Sequence, residues 1–164
     1  MKITFQGNPL TLEGDQVKVK DSLKVFSVAK NDLGALALAD TKGVRIFLAV
    51  PSLDTPVCDT EVRKFNEKAS SMKNVTVYAV SMDLPFAQAR WCASAGVANV
   101  VSVSDYKDHS FAKATGTYIK ELGLLTRASF VVNSAGSVVY AEYLEEITKE
   151  PNYEAILEAA KNAS

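Results

Sequence analysis

The run Val44-Arg45-Ile46-Phe47-Leu48-Ala49-Val50 constrains this chain more than any other stretch. Apart from Arg45 it is continuously apolar and lacks the alternation of a half-exposed strand. Such a run is what a strand covered on both faces requires. Pro51 closes it, and a charged segment with helical spacing follows from about Pro56 to Ser71, with Val62, Phe65 and Ala69 on its inner face. Val75 to Val80 is the next strand. Together these segments read as a βαβ unit. Ligands in open α/β sheets bind at the carboxyl ends of the strands, and here that place is taken by the turn Pro51-Ser52-Leu53-Asp54-Thr55-Pro56-Val57-Cys58.

Thr55 followed by Pro56 is a helix-start signal: a hydroxyl residue at the N-cap, then proline at the first helical position. Cys58 then falls at the third helical position. Backbone N–H groups in this turn lack intrahelical partners and carry the positive end of the helix dipole. A thiolate is favoured there over a thiol, and the thiolate is the nucleophile. The competing reading is a cysteine that serves as a small buried hydrophobe. Asp54 and Asp59 flank the turn, and their like charge opposes a thiolate.

The remaining segments fit around this unit. Lys2 to Phe5 and Leu10 to Leu12 alternate about Gly7-Asn8-Pro9 as an N-terminal hairpin, and Gln16 to Lys20 also alternates. Val25 to Ala29 and Ala35 to Leu38 are short strands, with a turn at Asp40 to Gly43. Ser81 to Pro85 opens a second helix with Asp83 as its cap; the helix runs to about Ala95, carries Cys92 near its end and stops at Gly96. Val100 to Ser104 is a strand, Tyr106 to Ala114 a brief helix broken by Gly116, and Arg127 to Asn133 a strand that turns into Ser137 to Tyr143. Pro151 opens the last helix, with Tyr153, Ile156, Leu157 and Ala160 apolar. The order βαβ, helix, ββα is that of an α/β, thioredoxin-like domain with an N-terminal β-hairpin extension and a mid-chain insertion. No linker or repeat divides residues 1–164, so one domain is expected.

Composition narrows the function classes. A net charge of −1 with no Lys/Arg run interleaved with aromatics argues against nucleic acid as a partner. No stretch is long and apolar enough for a membrane span, and the first residues turn polar too soon for a secretory signal. A cytoplasmic protein is expected. The two cysteines, Cys58 and Cys92, are too far apart for a CxxC motif, and with a single histidine they make a metal site unexpected. In the cytosol a transient, catalytic disulfide is a better expectation than a structural one.

At this point the chain resembles a known family. Pro51-x-x-x-Thr55-x-x-Cys58 resembles the PxxxTxxC signature of peroxiredoxins. The longer string Pro51 to Asp59, the segment Ser81-Met82-Asp83-Leu84-Pro85-Phe86-Ala87-Gln88-Ala89-Arg90-Trp91-Cys92 and the tail Glu150-Pro151-Asn152-Tyr153 resemble the thiol peroxidase branch, the atypical two-cysteine peroxiredoxins. The resemblance departs at Val17 to Phe26, which keeps the phenylalanine but lacks the family's Gly-Asp pair and proline. It implies that Cys58 is the peroxidatic cysteine, attacking a hydroperoxide to give a sulfenic acid. It implies that Cys92 is the resolving cysteine, closing an intrachain Cys58–Cys92 disulfide before the sulfenic acid over-oxidises. Thr55, whose hydroxyl contacts thiolate and peroxide, Pro51, which shields the thiolate, and Arg127, which stabilises its charge, complete the implied site. No cofactor, thioredoxin as reductant and a homodimer are implied too. A rival is a redox-responsive binding protein using the same disulfide. Glu61 and Gln88 are further candidates behind the site. His109 lies in a polar run and reads as surface, while Trp91 and Phe86 read as core or interface.

Overall fold

Every residue of the strand at Val44–Ala49 is buried, as the unbroken apolar run demands. Its side chains alternate between two separate cores. Ile46 and Leu48 join Val62, Phe65 and Ile156 on one side, and Phe47 and Ala49 join Phe26, Tyr78, Phe111 and Phe130 on the other. Arg45 is tolerated because its guanidinium reaches the end of the strand, where Nη1 donates to Thr41 Oγ1 (2.9 Å) and Nη2 to the Asn133 carbonyl (2.7 Å).

The computed structural model describes residues 1–163. In chain order the elements are β1 (Ile3–Phe5), β2 (Asn8–Leu10), β3 (Leu12–Glu13), β4 (Ser27–Ala29), β5 (Ala35–Ala37) and β6 (Val44–Ala49). Then come α1 (Pro56–Ala69), β7 (Val75–Ser81), α2 (Pro85–Ala95), β8 (Val100–Ser104) and α3 (Ser110–Thr115). The chain closes with β9 (Tyr118–Ile119), β10 (Leu124–Leu125), β11 (Ala128–Val132), β12 (Val138–Tyr143) and α4 (Tyr153–Ala163). The main sheet has the order β12-β11-β6-β7-β8-β4-β5. Its centre, β6-β7-β8, is parallel, and β11 and β4 flank it antiparallel. α1 and α4 pack on the face of Ile46 and Leu48; α3 and the aromatic cluster cover the other. This is the α/β, thioredoxin-like architecture the element order implied.

Three local expectations change. The N-terminal hairpin turns at Gln6-Gly7, with Asn8 and Pro9 inside β2 and Ile3 opposite Leu10. Both turn residues have positive φ, +50° and +81°, a conformation the proline ring forbids. Gln16 to Lys20 forms no strand, because Lys18 N–H is held by Asp21 Oδ2 (2.9 Å) in a local turn. The segment hooks onto β12 instead, with Lys20 N–H donating to the Val138 carbonyl and Val138 N–H to that of Asp21, both at 2.8 Å. β9 and β10 of the inserted stretch join β3 of the N-terminal extension in a small sheet, β10-β9-β3, that sequence patterning missed because its strands are only two residues long.

Gly116 ends α3 at φ +65°, and a Cβ there would lie 2.5 Å from the Asp15 carbonyl oxygen. The close approach of two backbones, as well as the turn, therefore calls for glycine.

Phe47 is the hub of the aromatic cluster, stacked on Tyr78 at 5.2 Å and edge-on to Phe26 at 5.6 Å. Phe47→Ala is expected to lower the unfolding free energy by about 3–5 kcal/mol. Urea melts should show a lower midpoint with an unchanged slope; a loss below about 1 kcal/mol would mean the cluster collapses around the cavity.

Candidate active site

Parallel pairing of β6 with β7 carries the chain to the carboxyl edge of the sheet, where Val50 N–H still bonds the Val80 carbonyl (3.0 Å). Pro51 follows and is buried. Thr55 is the N-cap of α1, with extended φ/ψ, and Pro56 is the first helical residue. The Thr55 hydroxyl donates to the Ser52 carbonyl (3.1 Å) and accepts from Cys58 N–H (3.3 Å). Thus the cap and the cysteine's backbone are one hydrogen-bonded turn, as the sequence signal required.

Cys58 is fully buried. Arg127, placed just ahead of β11 and only 2% exposed, aims its guanidinium at it. Nη2 donates to Cys58 Sγ at 3.1 Å, and Nε donates to the Ile147 carbonyl at 2.8 Å. A cationic donor bonds an anionic sulfur more strongly than a neutral one, so this contact favours the thiolate. Nη1 faces Glu61 Oε1 at 3.5 Å, a long ion-pair contact at the limit of a hydrogen bond. Glu61, one turn beyond Cys58, is completely buried. Burial pushes its carboxyl up to about 8, Arg127 opposes the rise, and Glu142 and Glu150 add to it.

Of the flanking acids, Asp59 is engaged by two partners and Asp54 faces solvent. Asp59 Oδ1 accepts from Trp91 Nε1 and Oδ2 from Arg63 Nε, both at 2.9 Å, while Asp54 is exposed. The Arg63 guanidinium also lies over the Trp91 ring, 5.7 Å from its centroid. These contacts tie the first turns of α1 to the turn of α2 that holds Cys92.

Cys92 is half-buried and Cys58 buried; both thiols are free. The Cys92 sulfur lies 3.3 Å from Ser102 Oγ on β8, whereas that of Cys58 faces Arg127. The structure therefore brings Cys58, Thr55, Pro51, Arg127 and Glu61 together and sets Cys92 against a different strand.

Asp83 is not the helix cap that its position suggested. The N-cap of α2 is Leu84, without a side-chain bond. The Asp83 carboxylate instead accepts from Ser52 Oγ (2.7 Å), Leu53 N–H (2.8 Å) and Ser81 Oγ (2.8 Å). It pins the active-site turn to the entrance of α2, a role with no local signature because Ser52 and Leu53 lie 31 and 30 residues upstream. Buried Gln88 supports the same corner, donating to Ser81 Oγ (3.0 Å) and the Val103 carbonyl (2.8 Å). His109 is half-buried rather than exposed; its ring stacks on Tyr118 at 5.4 Å. Phe86 is exposed. A cleft of about 670 Å³ lined by Lys68, Met72 and Leu157 lies at the other end of α1 and has no part in this site.

The chain can now be set beside known proteins. The family described as Redoxin matches residues 18–157. The thiol peroxidase of Clostridium acetobutylicum is 54% identical over 163 residues, spanning 99% of each chain. That of Bacillus subtilis is 53% identical over 161 residues, 98% of this chain and 96% of the relative. A solved peroxiredoxin-like protein from Aquifex aeolicus superposes with a TM-score of 0.93 at 40% identity, covering 99% of this chain and 97% of that one. At 19% identity, the thiol peroxidase from Chromobacterium violaceum shares the fold, with a TM-score of 0.89 over 98% of this chain and 95% of its own. The fold and its relatives define a thioredoxin-like enzyme of the peroxiredoxin type. The chain belongs to the Redoxin family, in its thiol peroxidase branch.

The Glu61 carboxyl gives a pH-dependent stability of definite sign. The folded chain holds its proton up to about pH 8, whereas an unfolded chain releases it near pH 4.3. The stability so contributed is complete below the unfolded value and is lost as pH rises through the folded one. In a Cys58→Ser background the Glu61 protein should lose stability relative to its Glu61→Gln variant as pH rises from the unfolded value towards the folded value of that background. The slope is at most about 1.4 kcal/mol per pH unit. Denaturant melts at several pH values check this, and a constant difference would mean that Glu61 is ionised in the fold.

Proposed function

We propose that this chain reduces hydroperoxides through a thiolate at Cys58, with Cys92 as the resolving thiol. The observation that carries the reading is the 3.1 Å bond from the buried Arg127 guanidinium to a cysteine sulfur in the first turn of α1. The thiolate attacks the distal oxygen of the peroxide and becomes a sulfenic acid. Arg127 stabilises the thiolate and the negative charge that develops on the leaving oxygen, an electrostatic role suited to a permanently charged donor. Thr55 orients the peroxide beside the sulfur, and Pro51 shields the thiolate from water.

The Cys92 thiol then attacks the sulfenic acid, giving an intrachain Cys58–Cys92 disulfide. Disulfide geometry is strict, and the two sulfurs have different partners, Arg127 and Ser102. One or both helix ends must therefore loosen, releasing Trp91 from Asp59 and Asp83 from Ser52 and Leu53. Thioredoxin reduces the disulfide, no cofactor takes part, and the working form is a cytoplasmic homodimer. Among the described residues no helix is long and apolar enough to cross a membrane. Residues 1–164 act as one domain; the N-terminal hairpin is tied to the tail through Thr4 N–H, bonded to the Glu145 carbonyl at 2.7 Å.

Peroxide consumption with thioredoxin, its reductase and NADPH tests the chemistry. Cys58→Ser should abolish turnover, and Cys92→Ser should reduce it to a single cycle. Arg127→Lys, which loses the fork geometry, should lower the rate by about 10²–10³-fold. Equal, negligible rates in all proteins would overturn the peroxidase reading in favour of a redox-responsive binding protein.

Hydrogen exchange tests the resolving step separately. Oxidation should raise exchange in the first turn of α1, in the Cys92 turn of α2, or in both. Unchanged protection at both would exclude the loosening.

A further inference from the structure

Three groups with full or nearly full burial meet at the start of α1: the Cys58 thiol, the Glu61 carboxyl and the Arg127 guanidinium, which are 0%, 0% and 2% exposed. Two of them are acids and one is a permanent cation. Burying a second, uncompensated negative charge costs several kcal/mol even after relaxation. The cluster is therefore balanced when it holds one anion, so the two acids retain one proton between them. The contact lengths favour Cys58 as the anion. Arg127 Nη2 donates to the Cys58 sulfur at 3.1 Å, whereas Nη1 approaches Glu61 only to 3.5 Å, and no other described residue donates to either Glu61 oxygen. A buried carboxylate with a single long contact is less tolerable than a buried carboxylic acid.

The other charges facing Glu61 act in the same direction. Glu142 on β12 and Glu150 ahead of α4 both oppose its ionisation. Tyr153 on α4 is itself held neutral, by burial first and then by Glu150 and Glu61. Lys64, on the same helix as Glu61, is paired with Glu150 at 3.3 Å, so Arg127 is the cation left to Glu61.

We propose that Cys58 and Glu61 share a single proton across Arg127, with Glu61 holding it while Cys58 is a thiolate and releasing it when Cys58 is oxidised. This rests on the peroxidase reading above and adds the site's proton balance. As the sulfur attacks, an S–O bond forms and the O–O bond breaks. Sulfur is oxidised by two electrons, the peroxide is reduced, and an alkoxide (or hydroxide) leaves. That product takes up one proton and Glu61 loses one, so Arg127 faces the Glu61 carboxylate in place of the thiolate. When Cys92 attacks the sulfenic acid, its thiol proton departs with the hydroxyl as water. When an external dithiol reduces the disulfide, Cys58 returns as a thiol and its proton passes back to Glu61. Glu61 touches no substrate; it is a proton store beside the reacting atoms.

Infrared spectroscopy of the reduced protein tests this without any peroxide. The protonated-carboxyl band that Glu61→Gln removes is titrated in wild type and in Cys58→Ser. Without the thiolate, Glu61 should ionise more readily, its acid constant rising at least tenfold over wild type. Equal midpoints, or a carboxyl ionised throughout in wild type, would overturn the shared proton. A second arm oxidises the reduced wild type with one equivalent of peroxide at the pH of the Cys58→Ser midpoint. The band should weaken on oxidation and recover after dithiol reduction; a band unmoved by oxidation would overturn proton release. If peroxide leaves Cys58 reduced, the peroxidase reading fails, whereas the first arm still decides the shared proton.

Discussion

The site depends on one buried guanidinium. An arginine inside a protein core is tolerable only if its donors are used and its charge is matched. Arg127 answers these demands through the Ile147 carbonyl and the Cys58 sulfur, which accept its hydrogen bonds, and the Glu61 carboxyl beside Nη1, groups supplied by two separate parts of the chain. Each of those groups is held by something more rigid. The sulfur is fixed by the capped first turn of α1, the carboxyl by the next turn of the same helix, and Arg127 by its place at the head of β11, the strand paired to β6. The sheet thus serves the chemistry by bringing the carboxyl end of β6 alongside the amino end of β11. Antiparallel pairing puts Ala128, the residue after Arg127, opposite Ala49, two residues before Pro51.

A second layer of contacts holds the two thiols in different surroundings. Asp83 fastens the active-site turn to the corner where α2 begins, and Asp59 fastens α1 to Trp91, the neighbour of Cys92. Both acids were ambiguous as sequence. Asp83 stood where a cap belongs, and Asp59 stood where its charge works against the thiolate. The fold gives each a different task, because it brings each carboxylate donors from about thirty residues away. Both connections are polar, and the Asp59 pair is partly exposed. Such contacts are individually weak, which would suit the opening of this joint in the proposed resolving step more than a hydrophobic seam would.

Much of the chain was legible before any coordinates. The βαβ unit followed from the apolar run, the charged helix and the next apolar strand, because burial on both faces leaves no polar position in a strand. The first helical turn and its cysteine followed from Thr55-Pro56, a local rule. The short strands of the small sheet, the Gln6-Gly7 turn and the hook of Lys18–Asp21 onto β12 did not. They are fixed by backbone conformation and by partners far along the chain, which residue patterns in a short window do not contain.

The sequence by itself determined that Cys58 sits at a helix start on the carboxyl edge of a sheet, and that two well-separated cysteines share one thioredoxin-like chain. Both are consequences of local propensity and of apolar periodicity. Only the tertiary structure decided the electrostatics. Arg127 reaches Cys58 across 69 positions of sequence, and Glu61 becomes a buried acid whose charge is set by what surrounds it. A side chain's type fixes what it can donate or accept; whether it is charged depends on how much water it loses and on which groups replace that water, and the packing of distant segments sets both.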